Sequence, residues 1–297
     1  MNSARLRVRS DDVFRVANRL TQRDRDILRL LSDHRVLTTE QLTDVFFSNP
    51  TTARHRLTEL HRLRLVDRFK PRRWLNDSAP YHYVLGEIGA TVVIAERDDS
   101  LDKLNWKADR ALAIGSSQRL EHLLGVNQFF IELMKVARYR PDANLREWWS
   151  ERHYATAMAK IVYPDAYGVW EEGGSRVEFM LEYDRGTESL DRLSAKLEGY
   201  EDLERVTEVR RWVLFSLRTE RREAGVRRVL AGSSLPIATA PRTAGQTTSG
   251  CLWSVIGGDL RRQRLVDLSR KLPKSEQLPA DILIRQPQAK VKLQERK

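Results

Sequence analysis

The sequence predicts an α/β chain, α+β in overall organisation, with two folded domains. Its 297 residues exceed the size at which a single core usually stops growing, and 41% of them are hydrophobic. The predicted elements change along the chain from helices and a hairpin to an alternation of helices and strands. We therefore predict a domain at residues 1–96, a linker near 97–107, a second domain at 108–257, and a basic, partly disordered tail at 258–297.

Capping signals predict three helices at the start of the first domain. Thr21 precedes an apolar stripe with acids in its first turn, which is typical of a helix N-terminus. Thr38 or Thr39 opens a second, short helix. The Asn49-Pro50 pair ends that helix, and Pro50 occupies the first turn of a third.

A β-hairpin and a closing helix follow the three helices. Val66–Phe69 and Tyr81–Leu85 alternate as strands do, and a basic turn joins them. This order resembles the winged helix-turn-helix domains of bacterial regulators and plasmid proteins. The resemblance implies that the third helix enters a DNA groove and that the hairpin tip lies beside the backbone. The candidate DNA-binding residues are Thr52, Arg54, His55, Arg56, Lys70, Arg72 and Arg73.

The charge distribution favours a polyanionic partner. The chain carries 52 Lys and Arg against 41 Asp and Glu, a net charge of +11. Residues 1–75 hold 17 basic and 9 acidic side chains, whereas residues 76–257 hold 24 and 27. A solvated basic face on a protein-interaction module would look similar. The coincidence of positive charge with the three-helix segment favours double-stranded DNA.

Several classes of protein are disfavoured. The single Cys251 excludes an internal disulfide and a cysteine-rich zinc site, and the histidines lack metal-ligand spacing. No glycine-rich phosphate loop is present, so we expect no nucleotide cofactor. No long apolar run or signal peptide is visible, so we expect no membrane association and a cytoplasmic location.

Two acids in the second domain suggest a metal site. We predict a strand at Ile161–Tyr163 that leads to Asp165, and a second strand at Val177–Asp184 that contains Glu182. Pairing of these strands would bring both carboxylates to one sheet edge, and Asp184 lies on the same face as Glu182. Such an edge suits Mg²⁺ or Mn²⁺ and phosphodiester hydrolysis. The alternative is a solvated cluster of ion pairs.

These residues resemble the PD-(D/E)xK signature of restriction-endonuclease-like nucleases. A closer resemblance is to the replication-relaxation proteins of plasmids and integrative elements, which join a winged helix to such a core. The residues that carry it are Leu120-Glu121-His122, Asn127, Pro164-Asp165-Ala166, Leu181 to Glu188, Lys196-Leu197 and Tyr200.

The resemblance also implies roles for individual residues. Asp165 and Glu182 would be metal ligands and catalytic residues, and Glu121 would be the helical acid of these nucleases. Asp184 stands where the motif has its lysine, so a catalytic cation is missing from the strand. Lys196, on the following helix, is the candidate replacement. Asp184 is then a candidate third ligand.

Three functions remain open from the sequence. The favoured one is a DNA-binding protein of a plasmid or integrative element that acts in replication or transfer and carries a nuclease-like second domain. The rival is a transcriptional repressor whose second domain only forms a homodimer or binds a partner. The third is a protein-interaction adaptor.

Overall fold

A computed structural model describes residues 16, 18–71, 79–97, 107–258 and 260–271 of the chain. It shows the mixed α/β protein that the sequence predicts, and its strands form a three-stranded sheet and a six-stranded sheet. The chain divides into two compact units between Asn127 and Gln128.

The first unit begins with three capped helices and a short three-stranded sheet. Its elements are α1 (Gln22–His34), β1 (Leu37–Thr38), α2 (Thr39–Phe46), α3 (Pro50–Arg62), β2 (Val66–Phe69), β3 (His82–Leu85), α4 (Glu87–Arg97), α5 (Ala108–Ala113) and a 3₁₀ turn (Ile114–Ser116). The following helix, α6 (Leu120–Tyr139), contains the division between the units.

Local capping chemistry explains where these helices begin. Thr21 and Thr38 each form a capping box, with Asp24 and Gln41 respectively, because hydroxyl and side-chain oxygens satisfy the first backbone N–H groups. Asn49 caps α3 through a hydrogen bond from the Thr52 N–H. All three predicted helix starts are confirmed.

The first sheet has the order β1-β3-β2, and both pairs are antiparallel. The hairpin strands β2 and β3 confirm the prediction, but β1 was not expected because it is only two residues long. Gly86 and Gly89 lie against the Leu65 backbone, where a Cβ would lie 2.9 Å and 2.0 Å from its atoms. Glycine at both positions lets α4 pack close to β2.

Residues 108–127 belong to the first unit, although the sequence analysis assigned them to the second domain. Ile114 and Leu120 form a buried cluster with Val36 and Val84 of the first unit. The buried Asn127 side chain donates hydrogen bonds to the carbonyls of His34 and Val36. This packing, rather than the charged composition of 98–106, determines where the unit ends; residues 98–106 lie outside the described part of the chain.

The second unit is a six-stranded sheet with helices. Besides the rest of α6, its elements are β4 (Ala143–Ser150), α7 (Glu151–Ala157), β5 (Ala166–Glu172), β6 (Ser175–Tyr183), α8 (Leu190–Thr207), β7 (Trp212–Leu217), α9 (Glu220–Leu230), β8 (Ile237–Pro241), β9 (Ser254–Val255) and a 3₁₀ helix (Leu265–Lys271). The strand order is β4-β5-β6-β7-β8-β9.

The sheet is antiparallel at its edges and parallel in its centre. β6, β7 and β8 run parallel, whereas β4-β5, β5-β6 and β8-β9 are antiparallel pairs. One sheet face packs against α8 and α9 through side chains such as Met180, Leu193 and Val226. Consequently the carboxyl ends of β6, β7 and β8 and the start of β5 share one sheet edge.

One predicted strand of this unit is wrong. Ile161–Tyr163 is not a strand; β5 begins at Ala166, so Asp165 precedes a strand instead of ending one. Residues 231–250 have the turn-rich composition of an exposed loop, yet they contain the fully buried strand β8. In the tail, residues 265–271 form a 3₁₀ helix with buried Leu265 and Leu268. Residues from 272 onward lie outside the described range.

Candidate functional site

One face of α3 is buried and the opposite face is exposed and cationic. Ala53, Leu57 and Leu60 are fully buried in the core of the first unit. Thr52, Arg54 and His55, predicted as DNA-binding residues, are exposed. The exposed face borders a depression of about 450 Å³, which is lined by Thr51, Arg54, His55, Thr58, Glu59 and Arg62.

Arg56 of α3 is engaged within the first unit. Its guanidinium forms a paired set of hydrogen bonds with the fully buried Asp24, Nε at 2.9 Å from Oδ1, and it also contacts Glu59. Burial alone would raise the pKa of Asp24, but hydrogen bonds from Arg56 and Thr21 hold it below its usual value. Arg56 was predicted to contact DNA, yet its main contact here neutralises a buried acid.

The hairpin also presents cations. Arg68 and Lys70 both lie over the Tyr81 ring, at 4.1 Å and 5.0 Å from its centroid, so the ring holds two positive charges at one place. The predicted tip residues Arg72 and Arg73 lie outside the described residues. Within the described part, the hairpin thus adds positive charge close to its turn.

In the second unit, the strand register brings Asp165 and Glu182 together. Ala166 pairs with Leu181 in the antiparallel β5-β6 pair, so the start of β5 meets the end of β6. The Asp165 N–H donates to the Leu181 carbonyl at 2.9 Å, and Asp165 Oδ2 accepts from the Tyr183 N–H at 2.7 Å. The two acids do share one edge, because Asp165 directly precedes β5 and Glu182 lies near the end of β6.

Glu182 is buried and hydrogen-bonded at both carboxylate oxygens. Lys196 Nζ of α8 donates to Glu182 Oε2 at 2.8 Å, and the Tyr200 hydroxyl donates to Oε1. The same ammonium lies 3.1 Å from Glu188 Oε2. Burial, followed by the charge of Asp165, raises the pKa of Glu182 to about 7. Lys196 therefore extends from α8 to the acids, as the sequence analysis proposed.

The other two predicted metal ligands have different surroundings. The Asp184 carboxylate accepts hydrogen bonds from Arg222 of α9 and from the Gly186 N–H. Glu121 is an exposed residue in the first turn of α6. Among the described residues, no group of three or more His, Cys, Asp or Glu side chains is arranged to hold a metal ion.

Sequence reasoning missed two contacts of this site. Glu188, just before the α8 N-cap Ser189, shares Lys196 with Glu182. Tyr200 was noted only as part of the family resemblance, not as a partner of Glu182. A signal existed for Tyr200, since it lies four residues after Lys196 and therefore on the same helix face. The local sequence holds no comparable signal for Glu188.

The arrangement combines two carboxylates with one ammonium at a sheet edge. Asp165 is half-buried and Glu182 is 2% exposed. Mg²⁺ commonly uses one or two protein carboxylates and retains several waters, so Asp165 and Glu182 are a suitable oxygen pair for it. The Lys196 ammonium can stabilise negative charge next to this pair.

A comparison with protein families covers both sites. The model of the replication-relaxation family matches residues 28–212, which is more than half of the chain. The chain belongs to the replication-relaxation family. The matched segment of this replication-relaxation protein includes α3, Asp165, Glu182 and Lys196. It ends at Trp212, which is the first residue of β7. Searches of curated proteins and of solved structures gave no match.

Family membership indicates a role in the replication or relaxation of plasmids or mobile elements, and hence a function connected with nucleic acid. No helix in the described residues of this replication-relaxation protein has the length and apolar character needed to cross a membrane.

Proposed function

We propose that this replication-relaxation protein binds duplex DNA through α3 and acts in the replication or transfer of a plasmid or mobile element. The observation that carries the proposal is the exposed face of α3, on which Arg54 and His55 stand next to hydroxyl side chains. These side chains can donate hydrogen bonds to phosphates and base edges. In this proposal the family role begins with recognition of DNA by the first unit.

The order of elements in the first unit supports a winged-helix mode of binding. Three helices, with a short second one, precede a β-hairpin, which is the order of that domain type. In this mode α3 lies in the major groove, and Arg68 and Lys70 of the hairpin contact the backbone beside it. Arg56 contributes by holding α3 against α1 through Asp24 and makes no essential DNA contact.

A binding titration tests this function. We expect the full chain to bind a fluorescent duplex, and Arg54→Ala combined with His55→Ala to weaken binding about tenfold and to flatten its salt dependence. A control variant, Arg205→Ala, removes a cation from the exposed surface of α8 in the second unit and should leave affinity unchanged. Equal affinity of the α3 variant and the wild type would refute the proposal.

We propose metal-dependent nicking as a second activity, in a core like that of PD-(D/E)xK nucleases. The observation that favours it is the 2.8 Å contact between Lys196 Nζ and Glu182 Oε2, which places a cation beside Glu182 despite the aspartate at position 184. Asp165 and Glu182 would hold Mg²⁺ or Mn²⁺. A bound Mg²⁺ would supply charge stabilisation at the phosphate and lower the pKa of a water. Lys196 would orient the phosphate.

Protonation of Glu182 controls this second activity. Because burial and Asp165 raise its pKa to about 7, part of the population carries a neutral carboxyl at neutral pH. A neutral carboxyl is a poor ligand for a divalent cation. Nicking should therefore increase as the pH rises from 6 to 8.

Supercoiled plasmid incubated with Mg²⁺ or Mn²⁺ separates nicking from DNA binding alone. We expect the wild type to nick, and Asp165→Asn and Glu182→Gln to abolish nicking while duplex affinity stays at the wild-type level. If the wild type binds a defined operator without nicking at any pH or with either metal, the repressor function is supported instead.

A further inference from the structure

A group of arginines lies at the carboxyl edge of the parallel strands in the second unit. Arg185 follows β6, Arg218 follows β7 and Arg242 follows β8, and we call these three the edge arginines. Leu217 and Pro241 pair directly in the parallel register, so Arg218 and Arg242 leave adjacent strands at the same level. In parallel sheets the carboxyl edge is where ligands commonly bind.

Contacts of Arg242 fix its guanidinium at this edge. Its Nη2 donates to the Asp184 carbonyl at 2.6 Å, its Nη1 donates to the Ser216 carbonyl, and its guanidinium lies 4.0 Å from the centroid of the Tyr183 ring. Backbone carbonyls and an aromatic face orient the cation without neutralising its charge. Arg242 is thus a pre-oriented donor.

Arg218 and Arg242 keep their positive charge at this edge. No carboxylate in the described part of the chain lies within ion-pair distance of Arg218 or Arg242, and the nearby Asp184 is paired with Arg222 instead. Burial lowers the pKa of Arg242, the charges of Tyr183 and Asp184 offset part of this effect, and the charges of Arg218 and Arg185 lower the pKa, so these two cations lie within electrostatic reach of Arg242. Like charges held close together in a half-buried position favour a bound anion.

Of the three edge arginines, Arg218 is the one that an anion can approach from solvent. Arg218 is exposed, and Gly186 lies against its side chain, where a Cβ would stand 3.9 Å from Arg218 Cδ. Gly186 has a φ of +78°, and its N–H donates to the Asp184 carboxylate. The loop therefore makes a tight turn, and position 186 places no side chain beside Arg218. Arg218 is therefore accessible to a ligand from solvent.

We propose that the edge arginines bind a phosphate group of the nucleic-acid backbone, which gives the second unit a DNA contact of its own. Guanidinium forks match phosphate oxygens in a bidentate geometry. The family role makes a DNA backbone the phosphate source. This inference rests on the proposed binding of DNA, but neither on α3 nor on nicking. Arg218 and Arg242 lie beyond the segment matched by the family model.

The test compares charge-matched variants of the full chain. Arg185→Gln combined with Arg218→Gln removes two edge charges, and Arg205→Gln combined with Arg228→Gln removes two exposed charges from α8 and α9. Arg242 is left intact because its carbonyl contacts link β6 and β7. Affinity for a fluorescent duplex and for the matching single strand is measured between 50 and 300 mM KCl.

We expect the edge variant to bind the duplex about tenfold more weakly, with a salt slope reduced by about 2 units, and the control variant to match the wild type. A urea titration of both variants checks that folding is unchanged. Equal affinities and slopes for the edge and control variants overturn the inference. The inference is also overturned if the edge variant loses affinity only for the single strand. It is overturned as well if free inorganic phosphate competes for the site as strongly as the duplex does. If the wild type binds no DNA, the proposed function itself fails.

Discussion

The candidate functional side chains of the two units differ in their exposure and in whether another group of the protein already holds them. Arg54 is exposed on α3, whereas Arg56, two residues later, is paired with the buried Asp24. In the second unit the candidate catalytic acid Glu182 is 2% exposed and accepts hydrogen bonds from Lys196 and Tyr200. Exposure thus leaves Arg54 directly accessible to a ligand, whereas Arg56 is held by Asp24, and a ligand of Glu182 would share it with Lys196 and Tyr200.

This difference separates binding residues from structural ones in α3. From the sequence, Arg54 and Arg56 are equivalent cations on the polar side of an amphipathic helix. In the fold, the burial of Asp24 makes one of them structural.

Arg56→Ala should destabilise the protein by about 3 to 5 kcal/mol at pH 7, because it leaves the Asp24 carboxylate buried without its cation. The pKa of Asp24 is lowered in the folded state, so its stabilising contribution exists above the unfolded pKa and disappears as the pH falls through the folded one. Urea unfolding at pH 7 and pH 3 measures both effects. Arg54→Ala serves as the control and should change stability by less than about 0.5 kcal/mol; equal losses for the two variants would contradict the distinction.

Lys196→Met should cost about 2 kcal/mol at pH 8, because it removes the cation next to buried Glu182 while Tyr200 still donates. The pKa of Glu182 is raised in the folded state, so its contribution to stability is full below the unfolded pKa and is lost as the pH rises towards about 7.

The destabilisation by Lys196→Met should therefore be smaller at pH 5.5, where Glu182 is neutral, than at pH 8. Thermal or urea unfolding at the two pH values gives the comparison. Lys196→Arg keeps the positive charge and is the matched control. A loss that does not depend on pH would show that Lys196 acts through packing instead of charge.

Asn127→Ala should destabilise the protein by about 1 to 2 kcal/mol, since the side chain donates to the carbonyls of His34 and Val36 in a buried position. Urea unfolding measures the loss. Glu121→Ala, on the exposed surface at the start of the same helix, should have almost no effect on stability. If Asn127→Ala were as harmless, the hydrogen bonds of Asn127 would not stabilise the packing of residues 108–127 in the first unit.

Much of the fold could be predicted because its signals are local. Thr21, Thr38 and Asn49 cap helices through side-chain oxygens three residues or fewer from their partners, and the Gly173-Gly174 turn has the positive φ angles that a tight hairpin needs. Strand β8 was missed because it is short, has small side chains in its middle and ends in proline. Only its position between β7 and β9 makes these residues buried.

The sites were only partly predictable because their contacts are distant in sequence. The pairing of Asp24 with Arg56 spans 32 residues, and nothing near either residue indicates it. The start of β5 was placed too early because Ile161–Tyr163 is apolar, yet Asp165 still meets Glu182 because an antiparallel pair joins the start of one strand to the end of the next. The predicted approach of Asp165 to Glu182 was thus inferred from a strand at Ile161–Tyr163 that does not form.

Photo-crosslinking at position 55 tests the central claim, that the exposed face of α3 contacts DNA, most directly. The variant His55→p-benzoylphenylalanine places a reactive ketone on that face, and Glu198→p-benzoylphenylalanine places one on the exposed surface of α8 as the control. We predict that irradiation with a duplex yields a protein-DNA adduct from position 55 and none from position 198. No adduct at position 55, under conditions where the duplex is bound, would contradict the claim.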